Sequence, residues 1–270
     1  MRPRLPALLE VSVAFAGVVA LFWIVAGSPV FDPDVSGPGQ WPGFAYALLL
    51  VAVPAGIAFG GRDREAYGLT VSPPGYHLHV IAVGILPLVA LGSTLSSVAW
   101  RTWPGAIVVS VVAVGVLGLL VKFLPEPPAD ESTNGVAALL IPLAFVGVVA
   151  ASVGDVATTV AAAYFLVAPA EELFFRGYVQ SRLNETFGRP FRTAGLEWGW
   201  GLLGASALFG LWHVLGPGGS AGLPHGLWTF FAGLVFGAVR EKSGSVAGPA
   251  VLHGVLNYGP QALVFDLLLV

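Results

Sequence analysis

Cysteine is absent from the 270 residues. That excludes disulfide scaffolds, cysteine-ligated metals, haem-thiolate chemistry and thiol nucleophiles. Charge is nearly as scarce. Asp, Glu, Lys and Arg make up 10% of the chain, against roughly a quarter in an ordinary soluble domain. A folded surface this poor in charge could not stay in water. Twelve basic residues against 15 acidic ones leave a net charge of −3, so there is no basic field to hold a polyanion. No nucleic-acid partner is expected.

What fills the chain instead is apolar. Hydrophobic residues reach 56% and mean hydropathy is +0.83. A helix needs about 20 apolar residues to cross a hydrocarbon core of roughly 30 Å. Uncharged stretches supply candidates at about 11–27, 41–60, 77–98, 104–121, 135–154, 157–181, 198–215, 224–239 and 246–266. Pro- and Gly-rich breaks separate them, among them Ser28-Pro29, Ser72-Pro73-Pro74-Gly75 and Gly216-Pro217-Gly218-Gly219. Barrel strands would alternate apolar and polar residues, and these runs are apolar all round. The expected fold is all-α, a polytopic transmembrane bundle of eight or nine helices. It forms a single membrane domain, with five helices and no motif in 1–154 and the chemistry in 155–270.

Arg2, Arg4, the apolar run after Glu10 and Ala26-Gly27-Ser28 have the outline of a secretory signal. The uncharged stretch is longer than a typical signal core, so the segment is expected to remain as the first helix. With the N-terminus in the cytoplasm and nine helices, Arg2, Arg4, Arg62, Arg64, Lys122, Arg182, Arg189, Arg192, Arg240 and Lys242 all fall inside. Only Arg101 falls outside, and Arg176 lies within a helix. This bias predicts a multi-pass protein of the cell membrane with a cytoplasmic N-terminus. Membrane lipid is then its first partner. Gly233-x-x-x-Gly237 fits close helix packing, or merely the small-residue content of membrane helices.

The chemistry lies in what interrupts the apolar helices, because an ionisable group at bilayer depth is costly and is a functional candidate by default. The sixth stretch reads Ala168-Pro169-Ala170-Glu171-Glu172-Leu173-Phe174-Phe175-Arg176. Glu172 and Arg176, at i and i+4, can pair on one face. Their role is a structural bridge or part of the site. Glu171 points about 100° away and stays out of that pair, open to catalysis or transport. The seventh stretch carries Phe209 and His213 four residues apart, and the ninth His253 and Asn257 with the same spacing. A lone buried histidine is more often a satisfied core residue than a base. Two of them beside a Glu-Glu-Arg helix shift the balance toward function. His77, His79 and His225 lie near span ends, where an interfacial or loop role is expected. The aromatic residues, including the eight tryptophans, mostly need no role beyond lipid contact and interface anchoring.

Glu171-Glu172-x-x-x-Arg176, Phe209-x-x-x-His213 and His253-x-x-x-Asn257, in that order, resemble the three-motif signature of the CAAX protease and bacteriocin-processing (CPBP, or Abi) family. That family includes the type II CAAX prenyl endopeptidases. The resemblance covers roughly residues 155–265, and every position of the signature is met. It implies an intramembrane endopeptidase acting on a peptide or lipidated-peptide substrate. Glu171 and His213 would activate water, and His253 and Asn257 would stabilise the oxyanion. Peptide hydrolysis does need a base, a proton donor for the leaving amine and donors aimed at the developing oxyanion. Arg176 can keep Glu172 ionised and fix the helix rotation.

No cofactor is required on this reading. Zinc is the alternative, with Glu171, His213 and His253 as ligands from three separate helices, although no His-Glu-x-x-His helix is present. Two other functions fit the same apolar chain: a non-catalytic immunity or scaffolding protein, and a proton-coupled transporter using Glu171 and the histidines as a relay. The complete motifs argue against the first. The lack of two related halves with broken helices argues against the second.

Overall fold

A computed structural model describes residues 4–26, 63–71, 74–127, 167–215 and 222–258, together with residues 50, 52, 56 and 60. Their regular elements are helices apart from one short hairpin. In chain order come α1 (Arg4–Ala26), α2 (Pro74–Ser97) and α3 (Trp103–Phe123). Then α4 (Ala168–Glu172), a π-helical segment (Leu173–Gln180) and α5 (Ser181–Phe187) follow one another without a break. The hairpin strands β1 (Phe191–Thr193) and β2 (Leu196–Trp198) lead into α6 (Trp200–Leu215), α7 (Gly222–Ser243) and α8 (Ala247–Tyr258).

Four helices among the described residues are long and apolar enough to cross a membrane: Leu5–Ile24, Gly75–Ser97, Trp103–Phe123 and Gly222–Ser243. Trp200–Leu215 is apolar but shorter. The α3 helix shows why water is the wrong solvent. Its inner stripe, Ala106, Val109, Ala113, Val116 and Leu120, is buried. Its outer face carries Ile107, Val108, Val111, Val114 and Leu119, all exposed. A surface helix of a soluble protein would be polar there. The chain is an integral membrane protein of helical type. Most of the expected span at 41–60, all of 135–154, the first part of 157–181 and the last part of 246–266 lie outside the described residues. The sixth helix runs beyond the expected 181 to Phe187, and Arg182, Asn184 and Glu185 sit on the extension.

Local chemistry sets the ends. Thr102 caps α3, its hydroxyl accepting from the Gly105 N–H at 3.4 Å, with proline in the first turn. Thr193 pairs with Leu196, so β1 and β2 are joined by Ala194 and Gly195, both at positive φ (49° and 86°). A two-residue hairpin turn requires that twist.

Two apolar clusters form the core. One gathers α1, the π-helical segment and α6 around Phe15, Phe174, Phe175, Phe209 and Trp212. The other gathers α2, α3, α7 and α8 around Leu88, Val109, Leu120, Phe236 and Leu252. The helix carrying the glutamates and α7 run side by side in matched register. Arg176 donates to the Gly233 carbonyl at 3.1 Å, Gln180 to the Gly237 carbonyl at 3.0 Å, and Asn184 to the Glu241 carboxylate. Each contact joins residues 57 apart, so the two helices are parallel. The Gly233-x-x-x-Gly237 pair also lets α6 come close to α7. A Cβ on Gly233 would lie 3.1 Å from the Ser206 Cα of α6, and one on Gly237 would lie 2.3 Å from Leu202 Cδ1.

Candidate active site

The charged side chains of the glutamate helix meet α6, α7 and α8 at the seam between the two apolar clusters. Glu171, Glu172, Arg176 and His253 are all buried. Glu172 and Arg176 form the expected i, i+4 pair, with Arg176 Nε 3.1 Å from Glu172 Oε2. The guanidinium lies over the ring of Phe209 at 4.5 Å and beside that of Phe236 at 5.6 Å. It is thus held by one charge, one carbonyl and two aromatic faces. The other oxygen of Glu172 is 2.9 Å from His253 Nδ1. A carboxylate can only accept there, so Nδ1 carries the proton. Glu172 therefore bridges Arg176 and His253 and fixes both.

Glu171 stays outside that pair, as its position on the helix predicts. One of its oxygens accepts from the Trp212 indole N–H at 3.3 Å, and the other lies 3.8 Å from His253 Nε2. That second distance is too long for a hydrogen bond. His253 is stacked on Phe236 (ring centroids 4.8 Å, 21°) and meets Phe209 edge-on at 5.6 Å. It sits where the two cores touch.

His213 is half-buried one turn after Phe209, and their rings are 4.6 Å apart. Its Nδ1 is 2.8 Å from the Phe209 carbonyl, an acceptor only, so Nδ1 is the protonated nitrogen and Nε2 keeps its lone pair. Asn257, one turn beyond His253, is exposed. Among the described residues no three His, Asp or Glu side chains are grouped to hold a metal ion. The set Glu171, His213 and His253 does not make one.

Two residues expected near span ends are buried instead. His225 packs against His213, and His77 sits beside Tyr76 with ring centroids 5.2 Å apart. Trp212, expected only to face lipid or an interface, is buried and bonded to Glu171. Sequence reasoning missed all three, since histidine and tryptophan in apolar helices read equally well as interfacial anchors. Position beside the motifs was the one available signal for Trp212, which immediately precedes His213.

A second polar region lies toward the ends of α5 and α7. Glu241 accepts from Gln180 at 2.9 Å and from Arg189 at 2.6 Å. Arg182 pairs with Glu10 at 2.9 Å, and Lys242 pairs with Glu126. Arg240 is buried and donates to the Ala66 carbonyl at 3.0 Å and to the Ser181 hydroxyl at 3.2 Å. Gly68 makes room for it: φ is +70°, and a Cβ there would lie 2.3 Å from Arg240 Nε. Arg189, Arg240, Glu241, Lys242 and Ser181 border a cavity of about 550 Å³.

Buried carboxylates, a guanidinium and a histidine held between apolar helices define a membrane protein with a charged site enclosed by its bundle. Residues 151–259 match the family described as Type II CAAX prenyl endopeptidase Rce1-like, the family the three motifs resemble. All the described parts of the site fall inside that segment. Neither the curated proteins nor the solved structures contain a match to the chain.

Proposed function

We propose that the chain is a multi-pass intramembrane endopeptidase that cuts a lipidated peptide at the membrane, with water activated by Glu171 and no metal. The observation that carries the reading is the division of labour between adjacent carboxylates. Glu172 is consumed by Arg176 and His253. Glu171 lies outside that bridge: it accepts from the Trp212 indole N–H and stands 3.8 Å from His253 Nε2. A base needs that second condition, because a carboxylate locked in an ion pair would not take up a proton readily.

On this reading water lies between Glu171 and His213. The lone pair on His213 Nε2 accepts from the water and orients it, while Glu171 removes a proton as the oxygen attacks the peptide carbonyl. Glu171 then returns that proton to the leaving amine. His253 stabilises the oxyanion through Nε2. Its Nδ1 proton is committed to Glu172, so donation from Nε2 requires the imidazolium, for which Glu172 is the countercharge. Asn257, exposed one turn on, is the second donor. The apolar walls exclude bulk water and strengthen each of these interactions. The basic-residue bias supports a cytoplasmic N-terminus.

The test is hydrolysis by the purified protein of matched peptides with and without a C-terminal isoprenyl thioether, read by mass spectrometry. The lipidated peptide should be cut, and a chelator should leave the rate unchanged. Glu171→Gln should lose about 10²- to 10⁴-fold in rate while melting like the parent. Normal cleavage by that variant would overturn the assignment. So would absence of hydrolysis by folded protein across a broad peptide set. Loss of activity to chelation with rescue by zinc would overturn the metal-free part.

A further inference from the structure

His225 lies in the first turn of α7 and is buried, although the nearest motifs end at His213 and resume at His253. Its ring is 5.0 Å from that of His213 at an interplanar angle of 72°. Behind it stand two tryptophans: Trp228 stacks on it at 5.3 Å and 29°, and Trp100 tilts against it at 4.8 Å. Its backbone carbonyl also accepts from the Thr229 hydroxyl at 2.7 Å. The His225 ring is therefore fixed by its own helix and by the turn that precedes α3.

The His213 imidazole has only two soft torsions. Phe209 meets it at 4.6 Å and 65°, and His225 meets it at 5.0 Å and 72°. The Phe209 carbonyl holds Nδ1 at 2.8 Å. With one ring gone, the imidazole could turn over about χ2 and exchange the places of Nδ1 and Nε2. With both rings present, one orientation and one tautomer are selected.

We infer that His225 is a positioning residue for His213: with Phe209 it holds the imidazole in the single orientation that leaves Nε2 as the free nitrogen. The catalytic consequence rests on the function proposed above, but the geometric claim does not. The group acts through its ring, backed by Trp100 and Trp228, so an aromatic of similar size serves in its place.

The experiment uses full-length protein with ¹⁵N-labelled histidine in detergent, and a His213→Gln sample to assign the His213 signals. The parent should show His213 as one tautomer, protonated at Nδ1. In His225→Ala the His213 signals should become those of a mixture of tautomers. In the cleavage assay kcat should fall about ten- to a hundredfold, the size of loss a misplaced group causes, with KM changed less than twofold. His225→Phe should recover the single tautomer and most of kcat. A thermal melt of each variant separates this from unfolding. A single unchanged His213 tautomer in His225→Ala overturns the inference whether or not the protein cuts peptide. Failure of His225→Phe to restore the tautomer also overturns it. Absence of cleavage by the parent counts against the proposed function alone, because the spectrum needs no substrate.

Discussion

The cluster around Glu172 and the network around Glu241 use the same side chains in opposite ways. In the first, each charge has few partners, all fixed and all buried: Glu172 holds Arg176 and His253, and Arg176 returns to α7 through one carbonyl. In the second, partners are redundant. Glu241 is shared by Gln180, Asn184 and Arg189, and the Glu126 that meets Lys242 is 76% exposed. The partners' access to water accounts for the difference. A charge stranded in a dry bundle has no water to fall back on, whereas the Glu241 side chain, itself only 1% exposed, is paired with an Arg189 that is 39% exposed and can turn to water.

The largest expected effect tests the dry side of this contrast. Glu172→Gln leaves Arg176 buried without its countercharge and weakens the hold on His253. Stranding one partner of a buried pair costs on the order of 3–5 kcal/mol, visible as a lower detergent melting temperature and poor expression. Adding Arg176→Gln should recover part of that loss. A Glu172→Gln protein that melts like the parent would erase the distinction between the two regions.

Arg240 sharpens it from the other side, being a buried residue within the redundant network. Arg240→Ala removes donors from the Ala66 carbonyl and the Ser181 hydroxyl, and should cost about 1–3 kcal/mol in the same melt. Trp212→Phe comes next. It keeps the ring but removes the N–H that Glu171 accepts, a change of about 1.5 kcal/mol. That is roughly a tenfold loss in cleavage rate with little change in melting. The smallest effect belongs to Arg189→Gln. Its side chain is 39% exposed and Glu241 retains two other donors, so the melt should move by less than about 1 kcal/mol. A larger loss there than at Glu172 would invert the comparison.

The same contrast explains what could be read from the chain itself. Glu171, Glu172, Arg176 and His253 interrupt apolar stretches, so their cost in a membrane marks them, and i, i+4 spacing foretold the Glu172–Arg176 pair. The burial of Arg240 was not legible, because a basic residue near a helix end is normally placed in water. His225 and Trp212 were hidden for a related reason: their residue types are the usual interface anchors. The two-stranded hairpin at 191–198 left only the faint mark of Ala194-Gly195. The π-helical stretch left none, since a hydrogen bond closed over five residues instead of four has no distinctive composition.

That stretch has a consequence for how the chain tolerates change. The wider winding holds from Leu173 to Gln180 and ends at Ser181, whose backbone N–H bonds the Tyr178 carbonyl while its hydroxyl donates to the Arg176 carbonyl at 3.2 Å. Ordinary α-helix is the more comfortable state of a backbone, and π turns are rare outside functional sites. Loss of a single residue between Leu173 and Gln180 would let the backbone relax toward it. Eight residues wound at about 4.4 per turn and seven wound at about 3.6 per turn both make a little under two turns, so the relaxed helix would keep Glu171 and Glu172 within about 50° of their present facing while Gln180 and Asn184 stayed on α7. The wider winding thus stores one residue at nearly constant phase, and one codon fewer would give a better helix aimed in almost the same direction.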